Sequence, residues 1–67
     1  MNRLYMAYAD NGRDYFAFTF YSKHRANSKQ NMEDAYKAYK KHHGGYGPRI
    51  VNTYRVSDDY MYCEHYD

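Results

Sequence analysis

The sequence predicts a small α+β domain of ββαββ order, and three observations predict it. Asn11-Gly12 separates two aromatic-rich runs, the strongest short hairpin signal a sequence carries. Met32, Ala35, Tyr36, Tyr39 and His43 form a stripe at 3.6-residue spacing, which marks one amphipathic helix. After Gly47-Pro48 a second pair of alternating runs follows, divided by Ser57-Asp58-Asp59. Sixty-seven residues make a single domain over 1–67, near the lower size at which a chain folds without staples.

The first two strands are predicted over residues 3–9 (RLYMAYA) and 14–21 (DYFAFTFY). With Asn11-Gly12 as a two-residue type I′ loop, Tyr8 meets Tyr15, Ala7 meets Phe16 and Tyr5 meets Phe18. Side chains alternate across a strand, so Tyr5, Ala7, Phe16, Phe18 and Phe20 share one face, the expected core. Leu4, Met6, Tyr8, Tyr15, Ala17, Thr19 and Tyr21 share the other, which is richer in Tyr and Met than a solvated face requires.

Residues 22–30 (SKHRANSKQ) form a polar connector, and the helix is predicted over residues 32–43. Asn31 is its expected cap, with Asp34 as a capping-box partner. Lys40, Lys41, His42 and His43 suit the negative end of the helix dipole, and Gly44-Gly45 stops the helix. Glu33, Lys37, Lys40 and Lys41 fall opposite the apolar stripe.

Strands are then expected over residues 49–56 and 60–66. A turn at Asp58-Asp59 sets Val56 against Met61, Tyr54 against Cys63 and Asn52 against His65, and that face, with Ile50, meets the helix. Arg55 beside Tyr62, Thr53 beside Glu64 and Val51 beside Tyr66 fill the outer face, the first as a cross-strand cation–π pair. A helix crossing back over the sheet brings the third strand beside the first. The expected sheet is therefore four-stranded and antiparallel in order 2-1-3-4, with the helix on the Phe face.

A single cysteine, Cys63, rules out an intramolecular disulfide and points to a reducing compartment such as the cytoplasm. The first ten residues, MNRLYMAYAD, hold no long apolar run, so they read as neither a signal peptide nor a membrane span. Eleven tyrosines stand beside three phenylalanines and no tryptophan. Tyrosine carries a large ring and a hydroxyl that needs a partner, so this excess suits half-buried and interfacial positions. The net charge of +2 is uneven: residues 1–49 carry +5 and residues 50–67 carry −3.

No motif states a chemistry. His43, Cys63 and His65 are metal-ligand types, yet no paired spacing accompanies them, so they read as helix-end and core residues with no metal. Asp58-Asp59 is a turn rather than a catalytic pair, and Gly44, Gly45 and Gly47 follow a helix instead of opening one. The expectation is a non-enzymatic domain without a cofactor. Two binding readings follow. In one, a protein partner meets the outer sheet face through Met6, Tyr8, Tyr15, Tyr21, Arg55 and Tyr62. In the other, Lys23, Arg25, Lys29, Lys37, Lys40 and Lys41 take the phosphates of a nucleic acid, or an acidic partner, while tyrosines stack on bases.

The run Asn31, Met32, Glu33, Asp34, Ala35, preceded by an aromatic hairpin and followed by a strand ending in Arg55-Val56, resembles the layout of small phage-encoded host-takeover proteins, among them the phage-type inhibitors of bacterial RNA polymerase. The resemblance covers about half the chain. It implies a cytoplasmic protein that binds and blocks a host or defence complex. The basic connector, the fourth strand and the positive charge depart from that layout.

Overall fold

The computed structural model describes residues 2–44 and 47–56, together with the backbone of residues 65–66. Two long strands, β1 (Arg3–Asp10) and β2 (Tyr15–Ser22), are followed by α1 (Lys29–His43) and β3 (Arg49–Arg55). β1 is the centre of a three-stranded antiparallel sheet, with β2 on one side and β3 on the other. This is the expected 2-1-3 order.

The hairpin register differs from the expected one by two residues. Ala7 lies opposite Phe18, Tyr5 opposite Phe20 and Asp10 opposite Tyr15. Four residues turn the chain instead of two, because side chains compete for the turn's amides. Asp10 Oδ1 accepts from Gly12 N at 2.8 Å, and Asn11 Oδ1 accepts from Arg13 N and Asp14 N at 2.9 Å each. Gly12 alone of this turn takes positive φ, at 93°. A shift by an even number leaves every side chain on its expected face. The core is accordingly the Phe face: Tyr5, Ala7, Ala9, Phe18 and Phe20 bury against Ala35 and Ala38 of α1, flanked by Phe16, Tyr39 and Ile50.

α1 starts one turn earlier than expected. Ser28, not Asn31, is the cap, and its hydroxyl accepts from Asn31 N at 3.1 Å. Asn31 instead sits fully buried on the helix face that meets the sheet, and Asp34 accepts from Ser22 Oγ at 2.7 Å. At the other end the Gly44 amide donates to Lys40 O, with Gly44 at φ 73°.

β3 shows a parity change that alternation alone does not reveal. Ala9 pairs with Ile50 but Tyr8 pairs with Asn52, so Val51 is the extra residue of a β-bulge. Beyond the bulge Thr53 and Arg55 turn to the helix side and Tyr54 to the outer side, reversing the expected assignment of all three. Ile50, before the bulge, keeps its expected place against the core.

The expected fourth strand falls mostly on residues 60–64, outside the described residues. Its described part, β4 (His65–Tyr66), is not antiparallel beside β3: it pairs parallel with β2 at Thr19 and Phe20. Both edges of the three-stranded sheet offer backbone groups to a further strand. A pattern of alternating side chains cannot distinguish them. At the β2 edge β4 also meets α1.

Candidate functional site

On the sheet face away from α1, Met6 and Tyr54 are cross-strand neighbours, and Tyr8 lies two residues along β1. This spacing brings the Tyr8 and Tyr54 rings to 5.6 Å, tilted by 39°. The Tyr54 hydroxyl lies 3.0 Å from Met6 Sδ and 3.2 Å from the Tyr8 hydroxyl, so it donates to either. Tyr8 is 42% exposed, Tyr54 38% and Tyr15 74%. Tyr15 closes the same face at the start of β2, opposite Asp10.

This surface is smaller than the expected one. Met6 is 3% exposed, roofed by the Tyr54 hydroxyl, and Leu4 and Thr19 on the same face are buried, so all three are core. Arg55 leaves the outer face because of the bulge. Its guanidinium lies over the Tyr5 ring at 5.9 Å and donates to the carbonyls of Leu4 and Val56. Tyr62 lies outside the described residues. Tyr54, which periodicity assigned to the helix side, takes their place. A bulge carries no side-chain periodicity of its own, so no signal in the chain could have placed Tyr54 here.

The cationic residues divide into two groups. Lys23, Lys37 and Lys41 line one open groove of about 330 Å³, where the end of β2 meets α1. Tyr21, Ser22, His24 and Asp34 contribute to its walls. Lys37 and Lys41 converge because residues four apart share a helix face. Ser22, buried at the strand end, donates to Asp34 Oδ2 and accepts from His24 N at 3.0 Å, which fixes the groove floor. Arg25, Lys29 and Lys40 do not line the groove, and Lys40 lies over the Tyr36 ring at 5.6 Å.

A second depression, about 380 Å³, lies beside the last turns of α1 and the β1–β2 turn, between Asn11, Asp14, Phe16, Phe18, Tyr39 and His43. His43 stacks on Tyr39 with ring centroids 4.4 Å apart. Cys63 and the side chain of His65 lie outside the described residues. Among the described residues no three His, Cys, Asp or Glu side chains cluster as metal ligands.

Asp10 stands out among the carboxylates. The Gly12 amide and then the Arg49 guanidinium, 3.1 Å away, hold its pKa below the ordinary carboxylate value. This pair closes the β1–β2 turn against the start of β3.

No protein-family model, curated protein or solved structure matches this chain. Among the described residues no helix is long and apolar enough to cross a membrane.

Proposed function

We propose that this domain is a non-catalytic binding protein, and that a protein partner docks on the tyrosine patch of Tyr8, Tyr15 and Tyr54. The supporting observation is the exposed Tyr8–Tyr54 ring pair, tied together at its hydroxyls over a buried Met6. Rings held in this way present large area with little side-chain entropy left to lose, the property that concentrates Tyr in contact surfaces. The resemblance to small phage-encoded takeover proteins supplies the class of partner: a protein of a host or defence complex in the host cytoplasm, blocked when bound.

The test is capture of protein from host lysate by the tagged domain, before and after nuclease treatment. Tyr8→Ser with Tyr15→Ser should abolish capture while the circular dichroism spectrum stays that of the wild type. Capture that survives both changes, or that nuclease abolishes, would overturn the reading.

A further inference from the structure

We propose that the Asn27 side chain covers the outer edge of β3 and so keeps this chain from pairing, edge to edge, with a second copy of itself. The inference does not rest on the tyrosine patch, because the contact is made by Asn27 and the backbone of β3.

Among the described residues β3 ends the sheet and pairs with β1 alone, whereas β2 at the opposite side meets β4 at Thr19 and Phe20. Val56 N donates to Leu4 O at 3.2 Å, so Val56 turns its backbone groups toward β1. Backbone groups alternate in direction along an antiparallel strand, so Thr53 turns its N–H and C=O outward. Asn27 meets Thr53 there with one acceptor and one donor, as a neighbouring strand would. Thr53 N donates to Asn27 Oδ1 at 2.8 Å, and Asn27 N donates to Thr53 Oγ1 at 2.8 Å. Asn27 is itself exposed and takes φ 62°, a left-handed conformation that Asn tolerates better than most side chains. The bulge at Val51 leaves residues 52–55 as the regular part of the edge, and the covered amide lies within it.

Little else on β3 deters a second strand. Ile50, Val51, Thr53 and Tyr54 are strong strand formers, and no Lys or Pro interrupts residues 49–55. Both arginines are turned back to their own sheet. Arg49 pairs with Asp10 at 3.1 Å, and Arg55 lies over the Tyr5 ring and donates to Leu4 O. A second copy is the partner always present at equal concentration. Across a two-fold axis it offers the same edge, and that pairing closes as a dimer.

The test variant is Asn27→Gly, which accepts the positive φ without strain and keeps the backbone bond to Thr53 Oγ1 while removing the acceptor. Sedimentation velocity of the full chain, from about 50 µM to about 1 mM, should show the wild type as a monomer throughout. Asn27→Gly should become a dimer toward the upper end, with the circular dichroism spectrum of the wild type. Hydrogen exchange then locates the contact. At the lower concentration the Thr53 amide of Asn27→Gly should exchange at least about ten-fold faster than in the wild type, and it should slow again as the dimer forms. Asn27→Asp keeps an acceptor and should stay monomeric. Adding Tyr8→Ser and Tyr15→Ser to Asn27→Gly should leave the dimer intact, so the two proposals fail separately. Asn27→Gly that stays monomeric would overturn the inference, and so would a dimer whose Thr53 amide exchanges as fast as in the monomer. A wild-type or Asn27→Asp dimer with a slowed Thr53 amide would overturn it as well. Loss of the native spectrum in Asn27→Gly would do the same, because the side chain would then be holding the fold rather than covering an edge.

Discussion

Thr53 donates its hydroxyl to Asn31 Oδ1 across 2.5 Å, joining β3 to α1 through a contact in which both side chains are fully buried. Each residue is satisfied on its remaining sides. Asn31 Nδ2 donates to His24 O at 2.9 Å, while Thr53 exchanges two 2.8 Å bonds with Asn27, whose backbone takes positive φ at 62°. The network fastens the connector, the helix and the edge strand at one point. In a core with few large aliphatic side chains, that pins the crossing of helix over sheet.

Asn31→Ala should therefore cost about 2–4 kcal/mol, because it strands the Thr53 hydroxyl and the His24 carbonyl without adding apolar contact. Urea unfolding measures it. A loss below about 0.5 kcal/mol would mean that water replaces the amide freely.

Phe18→Ala should cost about 3–5 kcal/mol, enough to unfold most molecules of so small a domain. Phe18 is buried and its ring meets Phe16, Phe20 and Tyr39 at 6.2, 6.2 and 5.5 Å. Unchanged thermal stability would contradict the assignment of the core face.

Met6 and Tyr15 share the outer face but should behave oppositely. Met6→Ala empties a buried site and should cost about 2–5 kcal/mol, whereas Tyr15→Ser should stay within about 0.5 kcal/mol of the wild type. Equal effects in parallel melts would show that exposure on this face does not separate contact surface from core.

Gly12→Ala should destabilise by about 1 kcal/mol through conformation alone. A Cβ at Gly12 meets no atom within 4 Å, yet the φ of 93° is one that alanine rarely adopts. A neutral result would indicate that the turn relaxes to another geometry.

Asp10 predicts an acid-side effect. Its pKa is depressed in the folded state by the Gly12 amide and by Arg49, so its contribution is present above the unfolded value near pH 4. That contribution is lost as pH falls through the lower folded value. Asp10→Asn keeps an acceptor for Gly12 N but removes the charge, and should make stability less dependent on pH below about 4. An acid limb identical to that of the wild type would exclude Asp10 as a contributor.

The sequence by itself determined what short-range physics controls. Strand alternation in residues 3–9 and 14–21 selected the Phe face as core, and a two-residue slip in register could not undo it, since the side-chain period is two. The last-turn cations and Gly44 marked the helix end. Only the tertiary structure decided the rest, wherever two local signals competed or one was absent. Asn31 has cap chemistry, but Ser28 captured the cap once Thr53 and His24 could satisfy a buried amide. The bulge at Val51 moved Tyr54 to the outer face and Arg55 off it, because one extra residue inverts every later side chain and leaves no trace in composition. The lysine groove came from the same source: Lys23 lies well before Lys37 and Lys41 in the chain, and only the packing of α1 on the end of β2 brings them together.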